Sequence, residues 1–120
     1  MSNQIHNRNS VGQHLIINLY DINNIDLLSF LCKGQPILNN IIKQLNLHVV
    51  NEAGHQFHPH GYTYAFVLSE SHLTIHTYPE HNSCYIDIFC CNPEFNPTNA
   101  VNILKKAFNT NNDIYHIITR

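Results

Sequence analysis

From Leu68 to Cys91 the chain reads LSESHLTIHTYPEHNSCYIDIFCC, and this stretch gathers Ser, His, Glu, Asp and Cys. These are side chains that serve as nucleophile, acid or base. Ser71 follows Glu70 directly, His76 lies five residues further on and Cys91 closes the stretch. A hydroxyl, a thiol and an imidazole do chemistry together only if the fold makes them meet. Leu73, Ile75 and Thr77 alternate with His72, Thr74, His76 and Tyr78, a period of two with β-branched residues interleaved, which predicts a strand. After Pro79, a turn at His81-Asn82-Ser83 leads to a second alternation, Tyr85, Asp87, Phe89 and Cys91 against Cys84, Ile86, Ile88 and Cys90. Paired as a hairpin, the strands return Cys91 towards Ser71. The neighbours Cys90 and Cys91 fall on opposite faces and so do not act as a pair.

The elements that must carry this hairpin are legible on either side of it. Residues 1–10 are polar and are expected to form a disordered tail. Gln13 to Tyr20 reads as a first strand, and Asp21 to Cys32 as a connection with a short helical turn capped by Asn24 or Asp26. A helix is expected after Gly34, with Pro36 in its first turn and Ile37, Leu38, Ile41, Ile42 and Leu45 as its apolar stripe. Leu47 to Phe57 and Tyr62 to Leu68 read as strands joined by a bend through Pro59 and Gly61. Asn96 caps a second helix with Pro97 at its first position and a stripe of Ala100, Val101, Leu104, Ala107 and Phe108. Lys105 and Lys106 suit its C-terminal end, and Asp113 to Thr119 reads as the last strand. The order predicts an α+β fold, a mainly antiparallel sheet with two helices on one face, and one domain over residues 1–120.

Composition narrows the function. Six Lys and Arg and a net charge of -2 leave no footprint for nucleic acid. No apolar run reaches the ~20 residues of a membrane helix. The N-terminus lacks an export signal, so the four cysteines point to reduced thiols and a cytoplasmic protein. Ten histidines raise the alternative of a zinc module built from His55, His58, His60, His72, His76 and His81 with Cys84. No C-x-x-C is present, and His72 and His76 sit on a predicted strand, so no metal is expected. Both faces of Tyr85 to Cys91 suit burial, while one chain has helices for only one face. A homodimer or higher even oligomer is therefore expected.

Ser69-Glu70-Ser71-His72, Ile75-His76-Thr77-Tyr78-Pro79-Glu80 and then Asp87, Phe89 and Cys91 resemble, without gaps, the processing and catalytic segment of the bacterial and archaeal S-adenosylmethionine decarboxylases. The pattern there is close to S-E-S-H-x-x-I-H-T-W-P-E, then D-x-F-x-C. Gly12 to Ile16 also resembles that family's opening strand, and the likeness extends over about residues 11–119. The resemblance implies two protomers packed sheet to sheet in an αββα sandwich. It implies self-cleavage between Glu70 and Ser71 into residues 1–70 and 71–120. The Ser71 hydroxyl would attack the Glu70 carbonyl, and elimination of the resulting ester would leave a pyruvoyl group. That group, derived from Ser71, is the implied cofactor, holding substrate as a Schiff base and acting as an electron sink. By the same resemblance His76 is the processing base, and Thr63, standing where a serine is usual, supports processing. Cys91 is the proton donor in turnover. Phe57 and Tyr78, the latter in place of a tryptophan, flank the adenine, and Glu80 binds the ribose. The implied substrate is S-adenosylmethionine, decarboxylated to the aminopropyl donor of spermidine and other polyamine synthesis. Two alternatives keep the scaffold: a pyruvoyl-dependent decarboxylase of ornithine or arginine, and a processing-dead partner subunit. Phe57, Tyr78 and Glu80 argue against the first, and intact Ser71, His76 and Cys91 against the second.

Overall fold

The period-two patterns become one antiparallel sheet in the computed structural model, which describes residues 10–120. Its strands are β1 (Gln13–Tyr20), β2 (Val49–Gln56), β3 (Tyr62–Leu68), β4 (Ser71–Tyr78), β5 (Ser83–Cys90) and β6 (Asn112–Thr119). They are ordered β2-β3-β4-β5-β1-β6, and each neighbouring pair is antiparallel. The hairpins β2–β3–β4–β5 run consecutively, and β1 then inserts beside β5. The expected tail falls on residues 1–9, which lie outside the described residues, and on Ser10.

Alternation decides which face is covered. Leu15, Ile17 and Leu19 of β1, Leu73 and Ile75 of β4, and Ile86 and Ile88 of β5 are buried in one core. The helices α1 (Asp26–Ser29), α2 (Leu31–Gln44) and α3 (Pro97–Ala107) complete that core through Leu28, Leu38, Ile41, Ala100, Val101 and Leu104. The opposite face has no such cover: Ile16, Val67, Tyr85 and Ile118 remain 39%, 50%, 40% and 45% exposed. Among the described residues no helix is long and apolar enough to cross a membrane.

Several boundaries differ from the sequence-based expectation, each for a local reason. The helix expected after Gly34 begins at Leu31, so Gly34 is buried inside it and Pro36 lies in its second turn. A tertiary contact starts it early: the Leu31 N–H donates to the Gln56 side-chain oxygen at 2.7 Å, supplying from β2 the acceptor that a local cap usually provides. Gly34 then lies against the Tyr62 ring where a Cβ would collide. The short helical turn is present as α1, but it starts behind Ile25 with no side-chain cap rather than on Asn24 or Asp26. The Pro79–His81 segment forms a 3-10 turn ending on a left-handed Asn82 (φ 52), and Ser83 already belongs to β5. Asn96 does cap α3, accepting the Asn99 N–H at 3.1 Å, and Lys105 beyond it pairs with Asp113 at 3.2 Å.

Thr77 fastens the helical layer to the strands. Its buried hydroxyl accepts the Tyr62 N–H at 2.8 Å and donates to the Leu28 carbonyl at 2.7 Å. Thr77→Val keeps the shape and strands both backbone groups, which costs about 1–3 kcal/mol. Thermal unfolding of the variant is expected roughly 5–10 °C below wild type; an unchanged midpoint would show that water replaces the hydroxyl.

Candidate functional site

The β4–β5 register sets Ser71 opposite Cys90, so Cys91 begins just past the end of the pairing, beside Ser71. The Cys91 N–H donates to Ser71 Oγ at 3.1 Å, and the hydroxyl in turn donates to the Cys91 thiol at 3.5 Å. Glu70 precedes them in the two-residue turn between β3 and β4. Gly12 is what lets β1 enter so close: a Cβ there would sit 2.5 Å from the Cys90 carbonyl oxygen. Cys90 points the other way, into the core, and burial pushes its thiol up, with Glu70 and Cys91 nearby adding to the shift against an opposing bond to the Asn92 backbone. Cys84 is likewise buried and its thiol pushed up. Of the three cysteines in this hairpin, Cys91 alone stands beside the serine.

A second group of side chains gathers at the other end of β4. Thr63 pairs with His76 across β3–β4, and Thr63 Oγ1 lies 2.9 Å from His76 Nδ1. Both line a cavity of about 330 Å3 together with Phe57, Tyr78 and Glu80. The loop bearing Phe57 is held at its base, because Gln56 Nε2 lies 2.9, 2.9 and 3.0 Å from the carbonyls of Ser29, Phe57 and Gly61. Gly61 takes a left-handed φ of 95, which closes the loop and lets the Phe57 N–H reach the Gly61 carbonyl at 2.8 Å. Each aromatic at the cavity leans on a second ring. His55 meets Phe57 edge-on at 4.8 Å, and Tyr85 meets Tyr78 at 4.9 Å with 49° between planes.

The structure thus brings the sequence-predicted residues together as two sets and keeps the sets apart. Ser71, Glu70 and Cys91 form one, and Phe57, Thr63, His76, Tyr78 and Glu80 the other. From Ser71 to His76 the chain runs along one strand, a separation of ~16 Å at the usual rise. The His76 ring also stands on the open face, with Thr63 and Tyr85 as its cross-strand neighbours. Within one chain the imidazole does not reach the serine.

The histidines of the zinc alternative do not converge. Among the described residues the one three-ligand group is His14, His72 and Asp87, in the middle of the open face. Asp87 Oδ1 lies 2.6 Å from His14 Nε2 and 3.3 Å from His72 Nε2. The Arg120 guanidinium sits 3.3 Å from His14 Nδ1 and over the Phe89 ring. A guanidinium only donates, so Nδ1 accepts and the proton resides on Nε2, directed at the carboxylate. The nitrogen that a metal would require is thereby occupied. The sequence pattern includes His72, Thr77 and Asp87 but assigns them no contact, and it does not point to His14, Gln56 or Tyr85, because each acts through a strand register that a single sequence does not disclose.

Comparison with known proteins gives a family and a fold. Residues 13–120 match the family model described as S-adenosylmethionine decarboxylase. The chain is similar to an S-adenosylmethionine decarboxylase proenzyme of Clostridium botulinum, 40% identical over 95 residues that cover 79% of this chain and 81% of that one. It is also similar to the proenzyme of Fervidobacterium nodosum, 36% identical over 104 residues, 82% of this chain and 72% of that one. The crystal structure of the adenosylmethionine decarboxylase from Aquifex aeolicus superimposes with a TM-score of 0.85 at 26% identity, covering 94% of this chain and 92% of that one.

Proposed function

This chain belongs to the S-adenosylmethionine decarboxylase family, and we propose that it is a carboxy-lyase that cleaves itself between Glu70 and Ser71 and then decarboxylates S-adenosylmethionine. The product is the aminopropyl donor for spermidine synthesis. The observation that carries the reading is the Ser71 hydroxyl held by Cys91 at the mouth of the β3–β4 turn. A pyruvoyl group made from Ser71 fits there: residue 71 is the first of β4, so a cut before it leaves all six strands intact and the new end still paired to β5. Such a group supplies a carbonyl that draws electrons away as carbon dioxide leaves.

The chain's own residues do the rest. Cys91, adjoining residue 71, donates the proton that the substrate carbon needs. Phe57 and Tyr78 hold the adenine between their rings, and Glu80 takes the ribose hydroxyls. Thr63 Oγ1 stands 2.9 Å from His76 Nδ1, and in the tautomer that donates to this hydroxyl the Nε2 keeps its lone pair and serves as the base for cleavage.

The separation of the two residue sets requires a second copy. A two-fold axis lying between two sheets, across the strands, lays the Ser71 end of one chain over the His76 end of its partner. The open face of Ile16, Val67, Tyr85 and Ile118 is the surface that this pairing covers. Each active site is then built from both protomers, with the serine and thiol from one and the base and aromatic cavity from the other.

Intact mass analysis of purified protein is expected to show chains of 70 and 50 residues, the shorter with a carbonyl-containing terminus that reacts with phenylhydrazine. Ser71→Ala is expected to remain at 120 residues; a wild-type chain that stays whole on long incubation refutes the reading. The shared site has its own test. Ser71→Ala and His76→Ala each stay uncut alone, but in mixed dimers the His76→Ala chain is expected to be cleaved, because its Ser71 meets an intact His76 from the other protomer. If it stays uncut in verified mixed dimers, the site is not shared. Cys91→Ala is expected to process normally and to turn over ~10²–10⁴-fold more slowly, as loss of a general acid predicts. Wild-type turnover by that variant would reduce Cys91 to packing.

A further inference from the structure

We propose that Tyr85 is a positioning residue for the adenine of the substrate, acting through Tyr78. The inference rests on the proposed function and deepens its adenine-binding half. Tyr78 is the last residue of β4, immediately before the Pro79 turn, so its ring has strand neighbours on one side only. Tyr85, from β5, closes that side: the two rings lie 4.9 Å apart at 49°, a tilted contact that holds the Tyr78 plane at a fixed angle to the cavity. Tyr85 is not itself among the residues that line the cavity, so it supports the ring that touches ligand rather than the ligand. Its register explains how it comes to be there. His55, Thr63, His76 and Tyr85 pair in sequence across β2, β3, β4 and β5, one row on the open face that carries both the base and the braces of the cavity. At the far end of the row His55 does for Phe57 what Tyr85 does for Tyr78.

The brace matters because of what stands at position 78. A tyrosine offers less stacking area than the indole of the pattern quoted for this segment, and a single ring at a strand end is free to turn. A second ring behind it enlarges the apolar surface and orders the first before substrate arrives, which lowers the entropy that binding must overcome. Aromatic pairs and pre-ordered side chains each contribute about two- to tenfold in affinity.

The test separates the brace from cleavage, from turnover and from assembly. The probe is 5′-methylthioadenosine, a competitive ligand with the adenine and ribose but no amino-acid group, so its inhibition constant reads the aromatic cavity alone. Tyr85→Ala is expected to cleave itself at the wild-type rate and to remain dimeric by light scattering. Its inhibition constant and its KM for S-adenosylmethionine rise about three- to tenfold, with kcat within about twofold. Tyr85→Phe keeps the wild-type constants, since the ring and not the hydroxyl does the bracing. Tyr78→Trp placed on the Tyr85→Ala background restores the inhibition constant, because the indole supplies the missing area. An inhibition constant that moves less than twofold in Tyr85→Ala, or a double variant that recovers nothing, overturns the proposal. So does a weakening that appears only because the variant has become monomeric, which would leave Tyr85 as part of the covered face and no brace. A wild-type protein that neither cleaves nor is inhibited by the probe removes the function itself, whereas an active wild type with an indifferent Tyr85→Ala removes the brace alone.

Discussion

Ser71 stands opposite Cys90 in the β4–β5 pairing, and slipping that register by one residue would turn every side chain of one strand to the other face. What forbids the slip is the core beneath. Leu73 and Ile75 on β4 meet Ile88 and Ile86 on β5, all of them buried, and a shifted strand would exchange these for His72, Thr74 and His76. Burial of about four aliphatic side chains, at roughly 1.5–3 kcal/mol each, therefore fixes the position of a serine and a cysteine that contribute little to stability. The same pairing sets Tyr85 beside His76 and Tyr78, so one register positions both residue sets.

A strand of eight residues is also a ruler, and it holds Ser71 and His76 too far apart to meet within one chain. Ser71 lies at the beginning of β4 with the Cys91 thiol beside it, where the turn at Ser69 and Glu70 is exposed. His76 and the aromatic cavity lie at its end, where Gly61, Gln56 and the Pro79 turn can shape a pocket. Neither group can migrate towards the other without losing what shapes it. On the proposed assembly, sheet-to-sheet packing solves the distance problem and covers the apolar face at once, which makes maturation depend on association.

Much of this was legible in the chain. Alternation alone assigned the faces of β4 and β5, the separation of Cys90 from Cys91 and the approach of Cys91 to Ser71. The Asn96–Pro97 pair marked the start of α3 because its cap is local. The start of α2 was not readable, since the acceptor for Leu31 comes from Gln56, twenty-five positions away. Thr77 read as an ordinary β-former, and its role as a buried fastener depends on where α1 lands. The gap between Ser71 and His76 follows from strand rise and period alone. Resemblance joins these two residues in one reaction, and their separation along β4 is the reason for proposing that two chains take part.

The polar centre of the open face bears on whether a second sheet can cover it. A lone aspartate under a sheet-to-sheet contact would oppose association, because a carboxylate leaving water without partners costs several kcal/mol. Asp87 is not alone. Its Oδ1 is bracketed by His14 and His72 on the two flanking strands, and Arg120 reaches His14 from β6's end, so the carboxylate already has polar partners and a guanidinium nearby within the face. The ring of Phe89 lies beside both imidazoles, which also meet each other edge-on, and under the guanidinium. The pairs His14–Phe89 and His72–Phe89 are in direct register, which sets the three rings side by side on the face. Covering such a face leaves the carboxylate with these partners in place of water. The open side of the sheet is in this sense already prepared for burial.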